Sequence, residues 1–99
     1  MYKNFIGKRV IVRGNDSGVF FGTLVEKDGS EVKLENCRRI WRWYGACSIS
    51  QLATDGTTQP KDCMFTTYVD EIIITDVIEI ILCTDKSIES IEGVEIWKK

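Results

Sequence analysis

Two clusters of turn-forming residues, Gly14-Asn15-Asp16-Ser17-Gly18 and Asp28-Gly29, cut the first third of this 99-residue chain into short segments rich in Val, Ile and Phe. Such spacing makes the first half of the chain β-rich. Phe5 to Arg13 reads as a first strand and Val19 to Lys27 as a second. Asp28-Gly29 is a hairpin signal, because a two-residue turn of that kind demands positive φ. Beyond it, Val32 and Leu34 alternate with charged neighbours, as in a strand with one face in the core and one in water.

The ten residues Asn36-Cys37-Arg38-Arg39-Ile40-Trp41-Arg42-Trp43-Tyr44-Gly45 hold three of the five arginines and two of the three tryptophans. Guanidinium groups are rigid forks of N–H donors suited to phosphate, and an indole offers a broad face on which a base can stack. That combination points to nucleotide binding. With a period of two, Cys37, Arg39, Trp41 and Trp43 share one face while Arg38, Ile40, Arg42 and Tyr44 share the other. Two readings follow. Either the tryptophan face is core and Arg39 needs a carboxylate at its edge, or Arg39 and a tryptophan edge line a groove where an anion and a base meet.

Ser48 to Ala53 predicts a short helix, with Ser48 as cap, Gln51 completing a capping box and Gly56 just past the end. Cys63 to Val69 resumes a strand after the only proline, Pro60. Asp70 to Leu82 is too apolar on both faces for a surface strand and reads as a central strand, bent or bulged near Thr75-Asp76, or as one that pairs across an oligomer interface. Thr84 opens a second short helix through Ile88 and Ile91 with Gly93 as its stop, and Val94 to Trp97 forms a final small strand or tail. With no repeat, low-complexity tract or linker, the expectation is a single domain over residues 1–99. Its class is α+β: a compact, mainly antiparallel β-sheet with two short helices.

Charge is divided along the chain. Residues 1–44 carry nine Lys/Arg against five Asp/Glu, and residues 45–99 carry four against ten, so that +4 and −6 give the net −2. The halves can neutralise each other within one sheet or across a subunit contact. The overall acidity argues against duplex nucleic acid, whose sequence-independent binding leans on positive charge. A local site for one or two phosphates remains compatible with it.

The chain has no histidine, which removes His-based acid–base and nucleophile chemistry and the common zinc sets. Neither a Walker loop nor a dinucleotide fingerprint occurs. Cys37, Cys47, Cys63 and Cys83 form no C-x-x-C pair, so free, mostly buried thiols are expected. Without an apolar run of roughly 18 residues or a signal-peptide core, the chain reads as a soluble cytoplasmic protein. No enzyme, no cofactor and no membrane partner are expected.

The stretches Arg13-Gly14, Ser17-Gly18-Val19-Phe20-Phe21-Gly22, Asn36 to Trp43, Gly45 to Ala53, Cys63-Met64-Phe65, Val77 to Ile81 and Cys83-Thr84 resemble a family of small bacteriophage proteins. The pattern is similar to the Thoeris anti-defence sponges, first family. The resemblance implies a homo-oligomer, acting in the cytoplasm of an infected bacterial host, that captures a cyclic ADP-ribose isomer without turning it over. It also implies that cyclic oligonucleotides are a second ligand class. On physical grounds Arg39 and then Arg38 are the expected pyrophosphate ligands. Trp41, Trp43, Phe21 or Phe65 are expected to stack, and Asn36 or Asp76 to read an adenine or ribose edge. Ordinary core packing is the competing role for each aromatic. An alternative function is that of a phage protein that blocks a host protein, or a virion or DNA-handling accessory, with the Arg and Trp cluster as a hot spot.

Sequestration at low signal levels requires a dissociation constant near nanomolar, about −12 kcal/mol. Two charged contacts at roughly 1.5–3 kcal/mol each and one stacked base at about 1–3 kcal/mol fall short of it. The expectation is therefore a site enclosed by two subunits, with symmetry giving two sites per dimer.

Overall fold

The computed structural model describes residues 1–99. It is α+β, with a six-stranded antiparallel sheet and two short helices. Strands β1 (Arg9–Gly14), β2 (Val19–Asp28) and β3 (Glu31–Arg42) form the meander, and β4 (Met64–Phe65), β5 (Val69–Ile74) and β6 (Val77–Leu82) follow. The sheet order is β4-β3-β2-β1-β6, with β5 beside the first half of β3 and β4 beside its second half. Helices α1 (Ile49–Asp55) and α2 (Asp85–Glu92) pack on each other and on one face of the sheet.

Alternation sends neighbouring residues to opposite sides, so the sheet carries two cores. Ile11, Phe21, Ile40 and Phe65 meet Leu52, Ala53 and Ile91 of the helices. Val10, Val12, Phe20, Leu24, Val32, Leu34, Cys37 and Ile74 pack on the other side. The Asp28-Gly29 turn forms as expected, with Gly29 at φ 59. Ser48 Oγ accepts from Gln51 N while Gln51 Oε1 accepts from Cys47 N. α1 then ends at Gly56, φ 77, where a side chain would overlap Ser90.

Several expectations need correction. Phe5 to Lys8 is not strand: Lys3–Phe5 is a single 3-10 turn and Gly7 at φ 83 redirects the chain into β1. Asp70 to Leu82 is not one central strand. It breaks at Thr75-Asp76 into β5 and β6, which lie on different edges of the sheet, and its apolar character serves two edge strands. Val94 to Trp97 makes only an isolated bridge, Phe65 to Ile96. All four thiols are free, and only Cys47 is exposed.

Candidate functional site

The basic and aromatic segment forms the second half of β3, and two irregularities decide where its side chains point. The β2–β3 register shifts between Phe21 and Thr23, opposite Asn36 and Cys37. Asn36 adopts φ 48, a left-handed conformation that asparagine tolerates. Past this bulge Cys37 points to the core of Phe20 and Leu34, Arg39 lies across from Phe20, and Arg38 lies across from Phe21. A second shift, between Ile40 and Arg42 against β4, leaves Trp41 unpaired.

Arg38 is a core residue. It is 1% exposed, and its guanidinium donates to Thr66 O (3.1 Å), Ile91 O and Val94 O (3.0 Å each) and Phe65 O (3.2 Å). No carboxylate pairs with it. Four backbone carbonyls, together with the Tyr68 ring 4.8 Å away, surround the charge. Burial pushes its pKa down and Tyr68 opposes that shift. Arg38 thus ties β4 to the end of α2, and its expected role as a phosphate ligand is corrected: four of its five N–H groups are taken by backbone carbonyls and the side chain is sealed from solvent.

Arg39, one residue on, has the opposite fate. Its guanidinium lies 4.6 Å from the centre of the Phe20 ring and makes no ion pair. It borders a recess of about 90 Å³ with Thr66, Thr67 and Val69 at its rim. Thr66 clamps the local backbone, accepting from Arg39 N at 2.9 Å. A cation held over an aromatic ring, with its N–H groups free of protein partners, is preorganised for an anion.

Trp41 is 58% exposed and stacks on Trp97, with centroids 6.2 Å apart and planes 16° from parallel. Trp97 is held there because its N donates to Phe65 O at 2.9 Å, next to the β3–β4 pairing. It also walls a groove of about 530 Å³ lined by Pro60, Lys61, Gly93, Glu95 and Ile96. Arg42, Lys98 and Lys99 are exposed and make no ion pair.

The other expected site residues are elsewhere. Trp43 packs on the helix-side core and donates Nε1–H to Ala46 O at 3.2 Å, because the bulge at Trp41 reverses the alternation the sequence suggested. Phe21 and Phe65 are 0% exposed core residues and cannot receive a base. The Asn36 carbonyl accepts from Arg9 Nη1 at 2.8 Å, although the residue is exposed. Asp76 Oδ2 accepts from Asp16 N (2.7 Å) and Ser17 N (3.0 Å), and its Oδ1 accepts from Ser17 Oγ. These bonds hold its carboxyl below the usual carboxylate range, and they assign Asp76 to the β1–β2 turn.

Two residues escaped the sequence reading. Trp97 read as tail, though an indole followed by two lysines was a usable signal. Arg9 lies 4.2 Å over the Phe21 ring and 3.1 Å from Glu92, an arrangement no local pattern announces. No cluster of three or more His, Cys, Asp or Glu residues is placed to hold a metal ion, and no helix is long and apolar enough to cross a membrane.

Among solved structures, that of a heptameric archaeal Sm protein is similar, with a TM-score of 0.54 and 20% identity over 83% of this chain and 94% of that one. At that identity the likeness is one of fold. No curated protein matches the chain. Residues 7–91 match a family described as a domain of unknown function, DUF6948. That match takes in the three-stranded meander, both helices and the Arg39 recess, and the chain belongs to the DUF6948 family.

Proposed function

We propose that this protein binds and sequesters a nucleotide-type anion without turnover, in the manner of the phage anti-defence sponges that its motifs resemble. Its ligand class is a cyclic ADP-ribose isomer, with cyclic oligonucleotides as a second class. The observation that carries the reading is the unpaired Arg39 guanidinium, two residues along β3 from an exposed tryptophan stack. Arg39 contacts phosphate, while Trp41 and Trp97 receive a base. Arg42 and the terminal lysines add positive potential.

Of the two expected phosphate arginines only Arg39 is free. One charged contact and one stack, at roughly 1.5–3 and 1–3 kcal/mol, are well short of nanomolar binding. A second copy is therefore part of the site, and the protein acts as a homo-oligomer. That the similar archaeal Sm protein is heptameric supports an assembly of copies.

The test is isothermal titration of the full chain against cyclic ADP-ribose isomers and cyclic dinucleotides, with chromatography of what heat denaturation releases. Wild type takes up at least one of them and returns it unchanged. Arg39→Ala binds at least tenfold more weakly with unaltered circular dichroism. A wild type that binds none of the panel defeats the proposal. If it then retains a host protein through the Trp41, Tyr44 and Trp97 surface, the blocker reading replaces it.

A further inference from the structure

Two strand edges of the sheet have no partner. Among strands, β5 pairs only with β3 and β6 only with β1, and beyond Val77, whose N donates to Ser30 O, the outer edge of each offers free backbone donors and acceptors. Proteins that avoid association blunt such edges with charge, proline or bulges. Here each edge carries an apolar triplet, Ile72-Ile73-Ile74 on β5 and Ile80-Ile81-Leu82 on β6. Ile73 is 62% exposed and Leu82 39%.

We propose that the β5 edge of one copy pairs antiparallel with the β6 edge of a second copy, setting Ile72 opposite Leu82, Ile73 opposite Ile81 and Ile74 opposite Ile80. The register follows from sidedness. Ile72 and Ile74 lie across from Leu34 and Val32, and Leu82 and Ile80 lie across from Val10 and Val12, all on the side of the same core. Ile73 and Ile81 lie on the other side, across from Lys33 and Ile11. The pairing therefore joins core side to core side along its length, whereas a one-residue slip sets Ile80 against outward-facing residues of β5.

Charge is compatible with it. Glu71 and Glu79 are already held by Lys33 and Arg13, at 2.6 and 2.7 Å. The same register brings Asp70 to the row of Thr84 in the second copy. Lys8 lies in that row, immediately before β1, since Cys83 N donates to Arg9 O. Neither Asp70 nor Lys8 has an ion partner within its own chain, and across the junction they form a complementary pair.

The two edges differ, so the contact is heterologous and propagates until it closes into a ring. It also brings Thr84 and Asp85 of the second copy to the rows of Asp70 and Val69, at the rim of the Arg39 recess. That consequence alone rests on the proposed function: the junction places a second copy beside the ligand site.

Sedimentation velocity on the full chain tests the pairing, with Ile73→Lys as the edge variant. Wild type sediments as an assembly larger than a dimer, and Ile73→Lys as a monomer with the same circular dichroism. In a Cys47→Ser background, Ile73→Cys combined with Ile81→Cys oxidises to a ladder of cross-linked chains, and neither substitution alone gives a ladder. A monomeric wild type overturns the proposal. So does an assembly indifferent to Ile73→Lys, or cross-linking of Ile73→Cys to itself, which marks a symmetric β5 contact. An assembly that behaves as described but binds no cyclic nucleotide sinks the proposed function and leaves the pairing standing. Equal nucleotide affinity in monomeric Ile73→Lys overturns the shared site.

Discussion

Arg38 and Arg39 are adjacent and chemically identical, yet one is structural and the other is free. Alternation along β3 aims Arg38 at the carbonyls of Phe65, Thr66, Ile91 and Val94 and Arg39 at the Phe20 ring. Removing the buried cation strands those acceptors away from water, so Arg38→Ala is expected to lose about 3–5 kcal/mol in urea unfolding. Arg39→Ala is expected to lose no more than about 1 kcal/mol, the worth of its contact with the Phe20 ring. Equal losses would show that the two sites are not distinct. Thiols divide in the same way. Burial pushes Cys37 up to about 12 and Cys83 up to about 11, from the ordinary 9.0. A disulfide reagent at mildly alkaline pH should label Cys47 fast and these two only on unfolding. Because the unfolded thiols ionise first, their linkage lowers stability as pH rises from about 9 toward those values. Chemical unfolding at pH 8 and pH 10 checks the sign, which should be blunted in Cys37→Ala. Periodicity put the two arginines on opposite faces and offered both as phosphate ligands; the burial of Arg38 follows from chain segments 27 to 56 residues away.

At the scale of elements, turn and cap signals were legible locally, whereas the apolar run from Phe5 hid the turn at Gly7. Asp28-Gly29 and the Ser48–Gln51 cap are chemical signals confined to a few neighbours, and both form. The other misreadings fall where distant chain intervenes. Asp70 to Leu82 is apolar throughout, and periodicity cannot tell one central strand from two edge strands. The break at Thr75-Asp76 exists because the Asp76 carboxylate gathers the Asp16 and Ser17 backbone amides and the Ser17 hydroxyl. Its depressed pKa fixes the sign of the acid response: the contribution is complete above the ordinary value of 3.8 and is lost as pH falls through the lowered one. Asp76→Ala should therefore melt below wild type at neutral pH, and the gap should close on acidification. A gap that does not narrow as the pH is lowered would show that the carboxylate charge is not what holds the turn. Trp41 and Trp43 part company for a related reason. The bulge against β4 turns one out to Trp97 and lets the other into the core.

In the whole molecule, the division of charge along the chain is resolved by folding. Arg9–Glu92, Arg13–Glu79 and Lys33–Glu71 each join the basic first part to the acidic second part. The sheet is shared by two cores, and consecutive residues such as Phe20 and Phe21 enter different ones. Loss of either core should therefore release the other. Urea unfolding followed by tryptophan fluorescence and by far-ultraviolet circular dichroism should give one coincident transition; separated midpoints would show that the two faces open independently.

The order of residues was enough to specify an antiparallel sheet with two short helices, the hairpin, the helix caps and the segment where arginine and tryptophan concentrate, because each depends on contacts within a few positions. Which guanidinium is entombed, which indole is exposed, that Trp97 joins Trp41 and that β5 and β6 end as open edges required the folded chain. These outcomes depend on single-residue bulges and on pairings between distant segments, and a one-residue change in register reverses the face of every side chain beyond it.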